Sequence, residues 1–197
     1  MTLTRDCLLS LEAYARERKT LRAAIIPHRK LRTLHLGENL SLQFEDERTI
    51  LYQIQEMLRI EKIFEPQGIQ DEIDAYAPLI PDGGNWKATM LLEYPDVEQR
   101  RRALASLVGI EERMYVDVEG CERTRAVADE DLDRTTEEKT SSVHFLRFEF
   151  APATIRAMHG GAAIHVGCDH PHYTARQAVI AATRDALLHD LAPPTTP

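Results

Sequence analysis

The feature that most constrains the fold of this chain is a change of hydrophobic period between residues 88 and 170. Segments in which apolar and polar residues alternate, as in strands, surround two segments with the apolar spacing of helices. The resulting order is strand, helix, strand, strand, helix, strand. This order is typical of a split βαβ unit, in which two helices cover an antiparallel sheet. We therefore expect an α+β fold with a ferredoxin-like βαββαβ unit over about residues 88–170.

The part of the chain before residue 78 predicts helices and one hairpin. The apolar spacing favours a first helix from Leu3 to about Ile26, which Pro27 interrupts, and two further helices before Tyr76. Between the first two helices, leucines alternate with polar residues on both sides of Gly37-Glu38-Asn39. That pattern indicates a β-hairpin with a three-residue loop.

The domain organisation follows from one interruption of regular structure. The stretch "PLIPDGGNW", residues 78–86, is rich in proline and glycine and is the only candidate boundary. We predict a single domain over residues 1–197. It can be subdivided into helices and a hairpin over 1–78 and a split βαβ unit with a C-terminal helix over 86–192. That last helix is expected from Thr174 to Leu191.

The composition excludes several classes of protein. The 197 residues carry a net charge of -8, which disfavours general binding to nucleic acid or to anionic membranes. No apolar run approaches the ~18 residues of a membrane span. The N-terminal stretch carries charges throughout, unlike a signal peptide. Three widely spaced cysteines indicate a reducing compartment rather than a disulfide framework. These features predict a cytoplasmic protein whose oligomeric state, homo-oligomer or monomer, stays open.

Two strands carry the residues most able to perform chemistry. Alternation in "SSVHFLRFEF" turns His144 inward, and alternation in "AAIHVGCDH" turns Cys168 and His170 inward while His165 faces the other way. In a single split βαβ sheet, His144 and His170 would lie at one edge, on one face. One intervening strand would separate them by ~10 Å. Glu137 and Glu138 before the first strand, and His172 after the second, are additional candidate ligands.

Two interpretations of this group stay open. Histidine, cysteine and carboxylate side chains are ligands for zinc or iron, so His144, His170, Glu138 and Cys168 form a candidate metal site. The alternative is that both histidines are hydrogen-bonded residues at the edge of the core and Cys168 is a small buried apolar residue. Gln53 and Glu56 lie on one helical stripe and either line a pocket or face solvent. No nucleophile-elbow motif accompanies His144, so acyl transfer is disfavoured.

Several long motifs agree in order with a known family. "LTRDCLLSLEAY", "LYQIQEMLRIEKIF", "LIPDGGNWKATMLLEYPD", "EEKTSSVHFLRF" and "DHPHY" resemble the bacterial family of unknown function DUF3501. The resemblance covers nearly the whole chain. The motif residues fall here on Glu138, Lys139, Thr140, His144, Asp169, His170, Pro171 and Tyr173. Lys139, Thr140, Asp169 and Tyr173 are thereby implied as neighbours of a pocket, and Cys168 and His172 lie outside the motif.

The resemblance also implies a context. Such proteins tend to be encoded beside a rubrerythrin-like di-iron protein and an iron-sulfur oxidoreductase. The first expectation is therefore an accessory or assembly protein of a cytoplasmic redox or peroxide-detoxification system, which docks on such a partner. The second is a metal-binding protein or metalloenzyme with a zinc or iron site built around His144 and His170. The third is a small-ligand sensor with a pocket between the N-terminal helices and the sheet.

Overall fold

The computed structural model describes residues 3–130, 132, 134–136 and 138–193, which contain six α-helices and nine strands. Short 3-10 turns lie at Arg5–Cys7, Ala77–Leu79 and Ile110–Arg113. The helices are α1 (Leu11–Leu31), α2 (Glu47–Glu61), α3 (Pro66–Tyr76), α4 (Val97–Ser106), α5 (Pro152–His159) and α6 (Ala181–Leu188). The strands are β1 (Thr33–His35), β2 (Leu40–Phe44), β3 (Asn85–Leu92), β4 (Met114–Val118), β5 (Thr124–Arg125), β6 (Val127–Ala128), β7 (Val143–Glu149), β8 (Ile164–His170) and β9 (Tyr173–Ala178).

The strands form two antiparallel sheets. The first has five strands in the order β1-β2-β3-β7-β6, and the second has four in the order β5-β4-β8-β9. The inner faces of both sheets contribute to one hydrophobic core, in which Trp86, Phe44 and Phe148 are fully buried. Trp86 packs edge-on against Phe44 with ring centroids 5.5 Å apart. The expected α+β class with antiparallel strands is confirmed.

The pairing of the strands corrects one detail of the expectation. The βαββαβ order is present, but its strands do not share a single ferredoxin-like sheet: β3 pairs with β7, whereas β4 pairs with β8 in the other sheet. A ferredoxin-like sheet needs two helices to cover one face, and α4, "VEQRRRALAS", has no buried residue with which to do so. The second sheet covers the aromatic face of the first instead.

A second apolar cluster lies between the N-terminal helices. Ile50, Ile54 and Leu58 of α2 meet Ile73 of α3. This spacing is the apolar stripe expected of an amphipathic helix. Asp46 caps α2, accepting from the backbone N–H of Thr49 at 2.9 Å. The α2–α3 pair lies against the outer face of the five-stranded sheet, since residues of α2, α3, β3 and β7 line one cavity.

Two helix boundaries differ from the predicted ones. The first helix starts at Leu11 with Ser10 as its N-cap and continues through Pro27, which forfeits one backbone hydrogen bond without ending the helix. The last helix is short. Residues 173–178 form β9, which pairs with β8 through a tight turn, so that His170 lies opposite Tyr173. Pairing with β8 overrides the helical preference of "TARQA".

Candidate functional site

A buried histidine lies at the start of β7. His144 has 0% of its surface exposed and lies opposite Met90 of β3. Its inward orientation follows from the alternation of β7, in which Leu146 and Phe148 also point into the core. An imidazole at such a position needs hydrogen-bond partners on both nitrogens, because a buried unpaired polar atom is costly.

Both nitrogens of His144 face oxygen atoms. Nδ1 lies 2.5 Å from Oδ2 of Asp129. Nε2 lies 2.8 Å from Oγ1 of Thr140 and 3.2 Å from the carbonyl oxygen of Ser141. A carboxylate oxygen of Glu111 is 3.9 Å from the same Nε2. The imidazole therefore lies between two carboxylates, with Asp129 on one side and Glu111 on the other.

Asp129 reaches this position because the β6–β7 ladder ends at it. Its backbone N–H donates to the carbonyl of Phe145 at 2.8 Å, and its Oδ1 accepts from the backbone N–H of Phe145 at 3.0 Å. The residue has a left-handed backbone, with φ of 49°, which aspartate tolerates better than most residues. Arg134 adds an ion pair at 3.3 Å. This backbone turn directs the carboxylate toward the core.

Glu111 is presented by the short turn that precedes β4. Gly109 begins this turn with φ of 80°, a conformation that favours glycine. The carboxylate of Glu111 then accepts from Oγ1 of Thr135 at 2.5 Å and from Oγ1 of Thr140 at 3.3 Å. Glu111 is 7% exposed and Thr140 is 1% exposed, so this side of the cluster is also buried.

The composition of this cluster suits a cation. Ligand atoms of Glu111, Asp129 and His144 all lie within 4.8 Å of one another, the one such group found among the described residues. Nitrogen and carboxylate oxygen are ligands for zinc and for iron(II). A shallow depression of about 660 Å³ runs from the Val108–Gly109 backbone to Asp129 and Thr135. Solvent reaches the edge of the cluster through this depression.

His170 lies in the other sheet, which corrects the expected pairing with His144. It is at the end of β8, and each of its nitrogens has its own partner. Nε2 donates to the carbonyl of Val108 at 3.1 Å, and Nδ1 accepts from the backbone N–H of His172 at 3.2 Å. Both nitrogens are thus occupied by backbone groups. The hydrogen bond from His170 fixes the backbone at Val108, shortly before Glu111. His170 therefore supports the turn that presents Glu111 to His144.

Those of the other predicted ligands that the structure describes do not join the cluster. Cys168 is fully buried in the hydrophobic core, and this burial raises the pKa of its thiol. Glu138 is exposed, and Glu137 lies outside the described residues. His172 follows β8 in the turn, where its backbone serves His170.

The residues predicted to line a pocket lie apart from one another. Thr140 belongs to the cluster. Gln53 lines a cavity of about 310 Å³ between α2 and the five-stranded sheet. Asp169 lies on the outer face of the four-stranded sheet, with an Arg125 N–H···O contact at 2.7 Å. Lys139 is exposed in a turn, where its carbonyl accepts from the backbone N–H of Thr136 at 2.9 Å. The hydroxyl of Tyr173 donates to the carbonyl of Leu36.

Glu56 has a structural environment of its own. It accepts from Nε of Arg18 at 2.7 Å and from the hydroxyl of Tyr14 at 2.6 Å, and Arg59 approaches at 3.2 Å. These partners, Arg18 first, hold the pKa of the Glu56 carboxyl well below its usual range. The residue joins α1 to α2 and lines none of the cavities described here.

Sequence reasoning missed Glu111 and Asp129. Asp129 lies in an acidic stretch between two strands, where carboxylates commonly face solvent, and Glu111 lies in a turn between elements. One signal was available: an inward-facing histidine requires buried partners. The choice of carboxylate partners depends on where the chain crosses from one sheet to the other, which is near Ala126. The N–H of Ala126 donates to the carbonyl of Met114 at 3.0 Å.

The fold and cluster define a two-sheet α+β protein with a buried histidine–carboxylate group of metal-ligand composition. The chain belongs to the family described as "Protein of unknown function (DUF3501)", whose family model matches residues 2–191. It is similar to the crystal structure of a novel protein of unknown function from Burkholderia pseudomallei, with 53% identity and a TM-score of 0.93. That match covers 98% of this chain and 100% of the other. No curated protein matches. Among the described residues, no helix has the length and apolar character to span a membrane.

Proposed function

We propose that this chain is a metal-binding protein that holds one divalent transition metal, zinc or iron(II), at the cluster of His144 and Glu111. The observation that carries the proposal is the convergence of one imidazole and two carboxylates within 4.8 Å in the protein interior. Buried carboxylates are costly unless they are paired, hydrogen-bonded or bound to a metal. The proposal replaces His170 with Glu111 and Asp129 as the partners of His144.

The distances assign a role to each side chain. Metals bind the neutral imidazole, here with its proton on Nδ1 and donated to Asp129, so the ion would replace the contact between Nε2 and the Ser141 carbonyl. Nε2 and the nearer Glu111 oxygen are 3.9 Å apart. Two ligands on a tetrahedral zinc lie ~3.4 Å apart, so a small movement of Glu111 would allow both to bind one ion. Asp129 then orients the histidine without ligating.

Two threonine hydroxyl groups lie beside the proposed ion site. Thr140 and Thr135 both contact Glu111, and they are 3.0 Å from each other. Displacement of the Thr140 hydroxyl from Nε2 opens the coordination position on that nitrogen. The adjoining depression provides a route for the ion and for water ligands.

Metal content of the purified protein tests this proposal. Protein prepared without chelator, and reconstituted separately with zinc and with iron(II) under anaerobic conditions, should contain about one metal per chain. His144→Gln and Glu111→Gln should each reduce this to below ~0.2 per chain. Asp129→Asn should still bind, with an affinity ~10–100-fold lower, because it removes only the group that orients the histidine.

The matched control is His165→Gln. His165 is on the outward face of β8, away from the cluster, so its loss should leave the metal content unchanged. Wild-type protein with less than ~0.2 metal per chain after both reconstitutions would show that the cluster is a hydrogen-bond network that only supports the fold. Equal metal loss in the control and in His144→Gln would place the ion elsewhere.

The family resemblance supports a cellular context for this metal protein. We place it in the cytoplasm as an accessory or assembly protein of a redox system, with a rubrerythrin-like di-iron protein or an iron-sulfur oxidoreductase as its partner. Affinity capture from native cells should recover such a partner. Capture that recovers neither partner from cells that express both would refute this context and leave the metal proposal standing.

A further inference from the structure

A cavity of about 610 Å³ lies between the α2–α3 pair and the outer face of the five-stranded sheet. Its size is within the ~300–1,000 Å³ of ordinary small-molecule sites. The helical side contributes Met57, Tyr76 and Leu79, and the sheet side contributes Phe145. This gives the cavity an apolar middle that suits a hydrocarbon or aromatic group.

The sheet side of the cavity carries a lysine that forms no ion pair among the described residues, although Glu130, Asp82 and Glu149 act on it from farther away. Lys87 lies directly opposite Arg147 on the neighbouring strand, which is an unfavourable pairing of like charges. Arg147 is occupied by Glu130 and Glu149, each at 2.8 Å. Among the described residues, no carboxylate lies within ion-pair distance of the Lys87 ammonium. Partial burial and the charge of Arg147 lower the pKa of Lys87.

The helical side carries a carboxylate with one buried oxygen that has no hydrogen-bond partner among the described residues. Oε2 of Glu72 on α3 is buried and accepts no hydrogen bond from any described residue. Burial raises the pKa of Glu72, and the nearby carboxylates of Glu61 and Asp71 raise it further. A buried oxygen in this state lacks the donor that such atoms normally have.

Among the described residues, one cavity therefore has on one wall a lysine that forms no ion pair, on another a buried carboxylate oxygen that accepts no hydrogen bond, and apolar side chains between them. We infer that this cavity binds a small amphipathic zwitterion of the amino-acid class, with its carboxylate at Lys87 and its ammonium at Glu72. A simple anion would satisfy Lys87 but would leave Glu72 unpaired. A simple cation would leave Lys87 unpaired, and an uncharged apolar molecule would bury both charges without a partner.

The cavity and the metal cluster lie on opposite faces of β7, although Arg134, which lines the cavity, also pairs with Asp129. His144 lies on the inner face of β7, whereas Phe145 faces the cavity on the outer side. The two sites therefore share a strand but no ligand atom, and their tests have separate readouts.

Calorimetry with matched probes tests the inference. L-phenylalanine has both charges, N-acetyl-L-phenylalanine has only the carboxylate, and L-phenylalanine amide has only the ammonium. Full-length protein should bind L-phenylalanine saturably and each blocked probe at least about tenfold more weakly, since each has lost one charge-assisted hydrogen bond. Lys87→Met should abolish the preference for L-phenylalanine over the amide. Glu72→Gln should abolish its preference over the N-acetyl probe.

The control variants are Lys19→Met and Glu17→Gln, which change exposed residues of α1 and should bind like the wild type. A second readout is the melting temperature without any ligand. Glu72→Gln should melt no lower than the wild type, because it removes the charge of a carboxylate whose buried Oε2 accepts no hydrogen bond from the described residues. The inference is overturned if L-phenylalanine does not bind, if a blocked probe binds the wild type equally well, or if both cavity variants keep the wild-type preferences between probes.

Discussion

The carboxylate of Asp129 should contribute more to stability than its position in an acidic loop suggests. Asp129→Ala removes the acceptor of the His144 Nδ1 contact at 2.5 Å and of the Phe145 N–H at 3.0 Å. Each buried group left without a partner costs ~1–3 kcal/mol. The free energy of unfolding should therefore fall by about 3 kcal/mol or more. For a chain of this size this corresponds to a melting temperature ~6–12 °C lower.

A matched pair of variants separates the carboxylate from the backbone. Asp129 has φ of 49°, which glycine adopts freely and alanine does not. Asp129→Gly should therefore lose the hydrogen-bond contribution alone, and Asp129→Ala should lose ~1 kcal/mol more. Urea unfolding followed by circular dichroism, with equal m-values in all proteins, measures both differences. A loss below ~1 kcal/mol in Asp129→Gly would refute the reasoning that this carboxylate supports a buried histidine.

Four further outcomes are expected. Glu56→Gln should lower the free energy of unfolding at pH 7. The difference from the wild type should shrink as the pH falls below 4.5, the ordinary pKa of glutamate. A carboxyl with a lowered pKa stabilises the fold above that ordinary pKa, and this stability is lost as the pH approaches the folded-state pKa. Gly167→Ala should destabilise by roughly 2 kcal/mol or more, because a Cβ there would lie 2.4 Å from the ring of Tyr115. Ellman's reagent should titrate two thiols quickly and Cys168 only after unfolding, since burial raises its pKa and blocks access. His170→Phe should lower stability by ~1–3 kcal/mol by leaving the Val108 carbonyl unpaired.

Each of these outcomes has a result that would contradict it. If the loss of stability in Glu56→Gln stays constant from pH 7 to ~pH 2, protonation of the wild-type carboxylate is not coupled to unfolding. Wild-type stability in Gly167→Ala would mean that the Tyr115 ring does not lie across the glycine. Three thiols reacting at one rate would place Cys168 at the surface. An unchanged stability of His170→Phe would mean that its bond to Val108 is not retained in solution.

The sequence predicts the local features of the site well. The alternation of β7 and β8 correctly indicated that His144, Cys168 and His170 face inward. The hairpin around Gly37-Glu38-Asn39 was also predicted correctly, since its register places Leu34 opposite Leu42. These features depend on residues close together in the chain. Because side chains alternate between the two faces of a strand, they can be predicted without the tertiary structure.

The partners of His144 could not be predicted in the same way. The expected partner, His170, required both strands to share one sheet. The sequence of α4 shows that its apolar stripe is weak. It does not show that a second sheet, and not a helix, covers the first sheet, because that depends on the whole core. Asp129 and Glu111 meet His144 only because the chain crosses between the sheets at that point.

By itself, the sequence determined the α+β class, the inward faces of the strands and membership in the family, because periodicity and long motifs are properties of neighbouring residues. The tertiary structure decided which strands pair, which carboxylates surround His144, and that a cavity lined by Lys87 and Glu72 lies behind β7. The physical reason is that sheet pairing joins residues far apart in the chain, such as Lys87 and Arg147, through contacts that no local pattern encodes.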